Sequence, residues 1–210
     1  MEPELKQQIA DAFRSRLAEG FDTPDEVLDR VCEFFDEADA DTVRAIATAE
    51  LPVALRQRQA EQQSWPATTD CDRLDAAFDE LNSMGIMARH HWTCCGTCGS
   101  AAMPDEFERL DGHWRGTPII GYTFYHIQNT ESAVEGDGIC LGYGSTIADD
   151  AEAMYEARSV EIGHTVVRVL TAHGLKTDWN GSLDRKICIN LDWKRRARPA
   201  RFFEGDDSEE

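Results

Sequence analysis

The sequence predicts an α+β protein: an N-terminal helical half, then a sheet of ferredoxin-like, split βαβ type with one extra strand. Two observations lead there. From Leu5 to Met84 apolar residues recur at helical spacing, and after Gly85 they fall in short β-branched and aromatic runs. Past Gly85 the order reads strand, helix, strand, strand, helix, strand, strand. The expected divisions are a helical region over 1–64, an α+β domain over 69–196 and an acidic, disordered tail over 204–210.

Each element has a local reason. Leu5, Ile9, Phe13 and Leu17 make the first helical stripe, closed by Gly20. Thr23-Pro24-Asp25-Glu26 is a capping box with proline at the first helical position, ahead of Val27, Leu28, Val31, Phe34 and Phe35. A third helix starts near Asp41 and carries Val43, Ile46, Ala47, Leu51 and Leu55; Pro52 is expected to kink or split it. Ser64 to Thr69 reads as a linker. A fourth helix, capped by Thr69 or Asp70, shows Leu74, Ala77, Phe78, Leu81 and Met84 on one side.

Strands are expected over 86–93, 117–126, 139–143, 175–179 and 186–191, with helices over 100–110 and 149–172. Glu135 to Gly138 reads as a turn, and Asn180-Gly181 as a hairpin signal. The sheet should be mainly antiparallel.

Net charge is −19. Such a chain is repelled by phosphate backbones and anionic lipid, which excludes nucleic acid and membrane surfaces as expected partners. The acidity suits solubility, or docking onto a basic partner protein. The first residues have neither a basic nor an apolar leader segment, and no apolar run approaches the ~20 residues of a membrane span. With seven cysteines, an odd number, the expectation is a cytoplasmic protein with reduced thiols. Oligomeric state is not legible.

Chemistry concentrates at Cys94-Cys95-Gly96-Thr97-Cys98, which follows His90-His91. Three readings compete with simple packing of small thiols in a glycine-permitted turn. The first is zinc: Cys95 and Cys98 have the C-x₂-C spacing, Cys94 adjoins them, and further ligands must come from a distance, from His113, His126 or Cys140. On a regular strand His91 would sit ~13 Å from Cys95, too far for one ion. The second is thiol–disulfide exchange, since C-x-x-C here precedes a helix. The third is a nucleophilic cysteine, Cys94 or Cys98, of a transferase or hydrolase, with His126 as base and Glu131 or Glu135 as orienting acid. His126 and Glu131 are expected to share a pocket with the cysteines. The leading expectation is an acidic protein-binding module with a thiol or zinc site, and the alternative is a thiol-dependent enzyme.

The remaining candidates are weaker. Gly142-Tyr143-Gly144-Ser145 lacks the lysine and spacing of a phosphate cradle. His164 and His173 suit a solvent-facing helix, and Lys194-Arg195-Arg196 reads as a solvated strand end.

Taken together, Thr93 to Gly99, Tyr122 to Glu131, Ala133 to Gly136, Trp179 to Ser182 and Asp192-Trp193 resemble a bacterial family of unknown function. The resemblance covers roughly residues 70–196. It implies a bacterial origin and an α+β fold, and no activity.

Overall fold

The structure is a computed structural model that describes residues 2–147 and 152–196. The acidic tail, the start of the 149–172 helix and the end of the basic segment lie outside the described residues. The chain divides into two compact units: Met1–Ala67 with the segment from Lys194, and Thr68–Trp193.

The first unit is three helices, α1 (Glu2–Glu19), α2 (Pro24–Phe34) and α3 (Ala40–Gln63). Ile9, Phe13, Val27, Val31, Val43, Ala47 and Leu51 form their shared core. Thr23 and Glu26 make the reciprocal capping box, with Glu26 Oε2 accepting from Thr23 N at 2.7 Å. Proline did not break α3. Pro52 is exposed, and the carbonyl it deprives of a donor belongs to Thr48, which also faces solvent.

The basic segment also departs from expectation. Arg195 is buried, its guanidinium 4.3 Å from the centre of the Phe21 ring, and its carbonyl accepts from Arg58 Nη2 at 3.1 Å. Cation–π stacking takes this arginine into the helical core rather than into solvent.

The second unit opens with α4 (Asp70–Ser83), capped by Thr69 in a box with Asp72. It continues with β1 (Ile86–Arg89), α5 (Gly96–Arg109), a two-stranded hairpin β2 (His113–Trp114) and β3 (Thr117–Pro118), and β4 (Gly121–Phe124). Then come α6 (Ile127–Glu135), β5 (Ile139–Ser145), α7 (Glu152–Ala172), β6 (Lys176–Asp178) and β7 (Ile187–Asn190). The main sheet runs β1-β4-β5-β7-β6. β1 and β4 are parallel, and the other neighbours are antiparallel. This is the α+β architecture with five mainly antiparallel strands. The strand order refines the plan: β1 and β4 are adjacent, so the βαβ unit is not split by an intervening strand.

Two helices sandwich the strands. A Cβ on Gly121 would meet the Ile162 side chain of α7, whereas a Cβ on Gly99 of α5 would run into the Phe124 ring. The pleat alternates side chains across faces, so Tyr122 and Phe124 face α5 while Gly121 and Thr123 face α7. Leu74, Phe78 and Leu81 of α4 are fully buried.

A buried ion pair braces α5 to β1. Arg89, 2% exposed at the end of β1, donates from Nε and Nη2 to Glu106 Oε1 at 2.9 and 2.7 Å. Its Nη1 donates to Ala88 O and Asn82 Oδ1, and Arg109 adds two bonds to Glu106. Burial raises the Glu106 pKa, but bonds from Arg109 and Arg89 outweigh it and hold it below its ordinary 4.5.

Glu106→Gln should therefore leave Arg89 buried without its counter-charge and destabilise the second unit by about 3–5 kcal/mol in urea unfolding. An unshifted midpoint would contradict the bracing role. A folded pKa below the unfolded one stabilises above the unfolded value and loses that contribution as pH falls through the folded value. The wild-type protein should accordingly lose stability on acidification below about 4.5, with a smaller loss in Glu106→Gln.

Candidate functional site

The cysteines lie where two helices begin. β1 and β4 run parallel and end at Arg89 and Phe124; the chain then turns into α5 at Gly96 and α6 at Ile127. The carboxyl ends of parallel strands are where α/β folds gather their sites. Cys95 is the N-cap of α5 and His126 the N-cap of α6. The two starts are stitched together, with Ile127 N donating to Thr93 O at 3.0 Å and Trp92 N to Tyr125 O at 2.8 Å.

The approach to the cysteines is strained. His91 (φ 50°) and Thr93 (φ 57°) both occupy the left-handed region. For a β-branched residue such as Thr93 that is an outlier, and such strain persists only where surrounding contacts enforce it. Thr93 Oγ1 donates to Cys95 O at 3.1 Å, and Trp92 Nε1 to Gly99 O at 3.3 Å. Gly99 is required because the Phe124 ring occupies the place of a side chain.

The three sulfurs of Cys94, Cys95 and Cys98 lie within 4.8 Å of one another, with Cys94 and Cys98 exposed and Cys95 half-buried. A Cβ on Gly96 would sit 3.3 Å from Lys186 Nζ and 3.7 Å from His126 Nε2, so an ammonium and an imidazole flank the cluster. The backbone N–H and then the thiol of Cys98 hold the Cys95 thiol below its usual range, though the contact falls short of a full capping bond. The Cys94 and Cys95 thiols push Cys98 up to about 11. Of Cys95 and Cys98, Cys95 is thus the more readily ionised, helped by the amide groups at the helix start. Burial, and then repulsion from Lys186, lowers the His126 pKa. His126 is 7% exposed, and its Nδ1 has no hydrogen-bond partner among the described residues.

The other titratable candidates are placed elsewhere. His90 is in the core, stacked on Phe78 at 4.2 Å, bonded to the Tyr125 hydroxyl and 3.6 Å from Asp75. His91 pairs with Thr130 Oγ1 at 2.9 Å. His113 is exposed on the β2–β3 hairpin. Glu131 is exposed on α6, and Glu135 lines a separate cleft of about 620 Å³ with Asp70, Arg73, Lys176 and Trp193. A second cleft, of about 380 Å³, lies between α5 and Tyr155. Neither cleft is lined by a cysteine.

Cys140 is bonded to Cys188. This corrects the expectation of seven reduced thiols: the two are register partners on β5 and β7. The other five cysteines lie outside this disulfide. No described helix is long and apolar enough to cross a membrane.

Sequence reasoning missed α6, reading its residues as strand end and loop. Two signals were present: Asn129 Oδ1 accepts from His126 N, three residues back, and Gly136 closes the helix at φ 100°.

Gly99→Ala should push the first turn of α5 away from Phe124 and destabilise the second unit by about 1–3 kcal/mol. Gly136→Ala meets no neighbour and carries only left-handed strain, about 1 kcal/mol. A smaller loss in Gly99→Ala than in Gly136→Ala in chemical denaturation would contradict the close approach.

The chain was compared with known families and proteins. The family described as Domain of unknown function (DUF6891) matches residues 2–197, a span that takes in the N-terminal helices as well as the segment expected from the motifs. Neither a curated protein nor a solved structure matches the chain. With nearly the whole sequence matched, the chain belongs to the DUF6891 family.

Proposed function

We propose that the chain is a zinc-stabilised binding module, its ion held by Cys94, Cys95, Cys98 and His126. The observation that carries this reading is the convergence of three sulfurs within 4.8 Å at the start of α5. Thiolates with imidazole form a donor set suited to zinc in tetrahedral geometry. His126 is the nearby histidine whose ring is set against the cysteine turn.

Four protein ligands close the coordination shell. A closed shell leaves no position for substrate or activated water, which distinguishes a structural ion from a catalytic one. The ion would clamp the strained turn at Thr93 to both helix starts, converting coordination energy into rigidity of that edge. The exposed cysteines put the clamp at the surface, where it would shape a docking edge. The charge of −19 favours a basic protein as partner and disfavours nucleic acid.

Protein purified without added metal should carry close to one equivalent of zinc by elemental analysis. Cys95→Ser/Cys98→Ser should carry none, and His126→Ala should bind more weakly by on the order of tenfold or more. Wild-type protein without zinc, still metal-free after reduction and zinc addition, would overturn the reading. Zinc retained by the double cysteine variant would move the site elsewhere.

A further inference from the structure

A second sulfur centre lies on the same face and at the same end of the sheet as the cysteine cluster. Phe124 of β4 is the register partner of Gly142 of β5. The Phe124 ring lies where side chains on both Gly99 and Gly142 would go. The first turn of α5 therefore sits over that rung of the sheet. Two residues from Gly142 along β5 is Cys140, on the same face by the pleat, bonded across to Cys188 of β7. Two residues before Cys188 is Lys186, whose Nζ reaches the Gly96 position to 3.3 Å. Continuing the β4–β5 register past Phe124 sets His126 opposite Cys140, and the His126 ring also borders Gly96. The disulfide therefore neighbours Lys186 and His126 along the sheet, and both of those side chains border the first residue of α5. Cys140 and Cys188 are half-buried rather than sealed.

We infer that the Cys95/Cys98 dithiol and the Cys140–Cys188 disulfide are one exchange pair, able to pass a disulfide between the exposed turn and the sheet. The inference goes beyond the zinc reading and does not depend on it, because exchange is a property of the metal-free cluster. The step balances internally. The Cys95 thiolate attacks one sulfur of the Cys140–Cys188 bond, forming a mixed disulfide and releasing the other sulfur as a thiolate. That thiolate takes up the proton Cys95 gave to solvent. Cys98, deprotonated in turn, attacks the Cys95 sulfur, closes a Cys95–Cys98 bond and releases the second sheet thiol. Two electrons pass from the turn to the sheet, with no external oxidant. The expected consequence is that a small thiol reductant would open the sheet disulfide by way of the turn.

The test uses the full-length, metal-free protein, oxidised at Cys140–Cys188 and reduced at the turn. In Cys98→Ser the second step is blocked. Acid quenching, alkylation and peptide mapping should then find Cys95 joined to Cys140 or Cys188. In wild type, reduction of Cys140–Cys188 by glutathione should be at least about tenfold faster than in Cys95→Ser, with both proteins shown folded by circular dichroism. Equal reduction rates with no trapped mixed disulfide would overturn the inference, as would failure of any oxidant to form the Cys140–Cys188 bond. A zinc-treated arm separates the two readings. Exchange in apo protein that zinc suppresses supports both. Exchange unaffected by zinc sustains this inference and counts against the zinc site. No exchange in either arm overturns this inference, whatever the zinc content.

Discussion

The buried Arg89–Glu106 pair is the constraint on which the cysteine turn depends. A guanidinium that is 2% exposed must find acceptors, and it finds them in Glu106, Asn82 and the Ala88 carbonyl. The pair ties the C-terminal half of α5 to the end of β1. With that end fixed, packing of Met103 and Phe124 sets the helix on the sheet, and Gly99 lets its first turn come down onto the Phe124 ring. The chain from Arg89 to Gly96 must then cover a short, fixed gap. It does so through left-handed residues at His91 and Thr93, and the result is three thiols pressed together. The sulfur cluster is thus a consequence of how α5 is held.

That arrangement also explains the local chemistry. Thiols this close cannot ionise independently, so the amide groups at the helix start single out Cys95 while its neighbours raise Cys98. A soft cation would relieve the crowding by neutralising several thiolates at once. Exchange with the nearby disulfide relieves it differently, by joining two of them. Both outcomes draw on the same convergence.

Much of this was legible in the sequence where a local rule governs. Thr23 announced its helix through Glu26, three positions on, Thr69 was one of two candidate caps for α4, and the change of period at Gly85 marked the start of the sheet. Cys94, Cys95 and Cys98 are neighbours along the chain, so their density was visible before any fold. What escaped depended on long-range placement. Arg89 and Glu106 are 17 residues apart, and nothing local says that this arginine is buried. The Cys140–Cys188 bond spans 48 residues and follows only from the β5–β7 register. Arg195 read as solvated because charge runs usually are; its place over Phe21 is a tertiary fact. Pro52 did not split α3, because a proline on an exposed helix face sacrifices one bond to a carbonyl that water can satisfy. His126 was singled out as a distant residue of the site, but the helix that presents it was not.

The zinc proposal adds His126 as fourth ligand to the three converging cysteine sulfurs. X-ray absorption at the zinc edge of the loaded, full-length protein tests it most directly, because it counts the atoms around the ion. The account predicts three sulfur neighbours at about 2.3 Å and one nitrogen at about 2.0 Å, with the nitrogen signal altered in His126→Ala. A shell of oxygen and nitrogen alone would contradict it, as would fewer than three sulfurs.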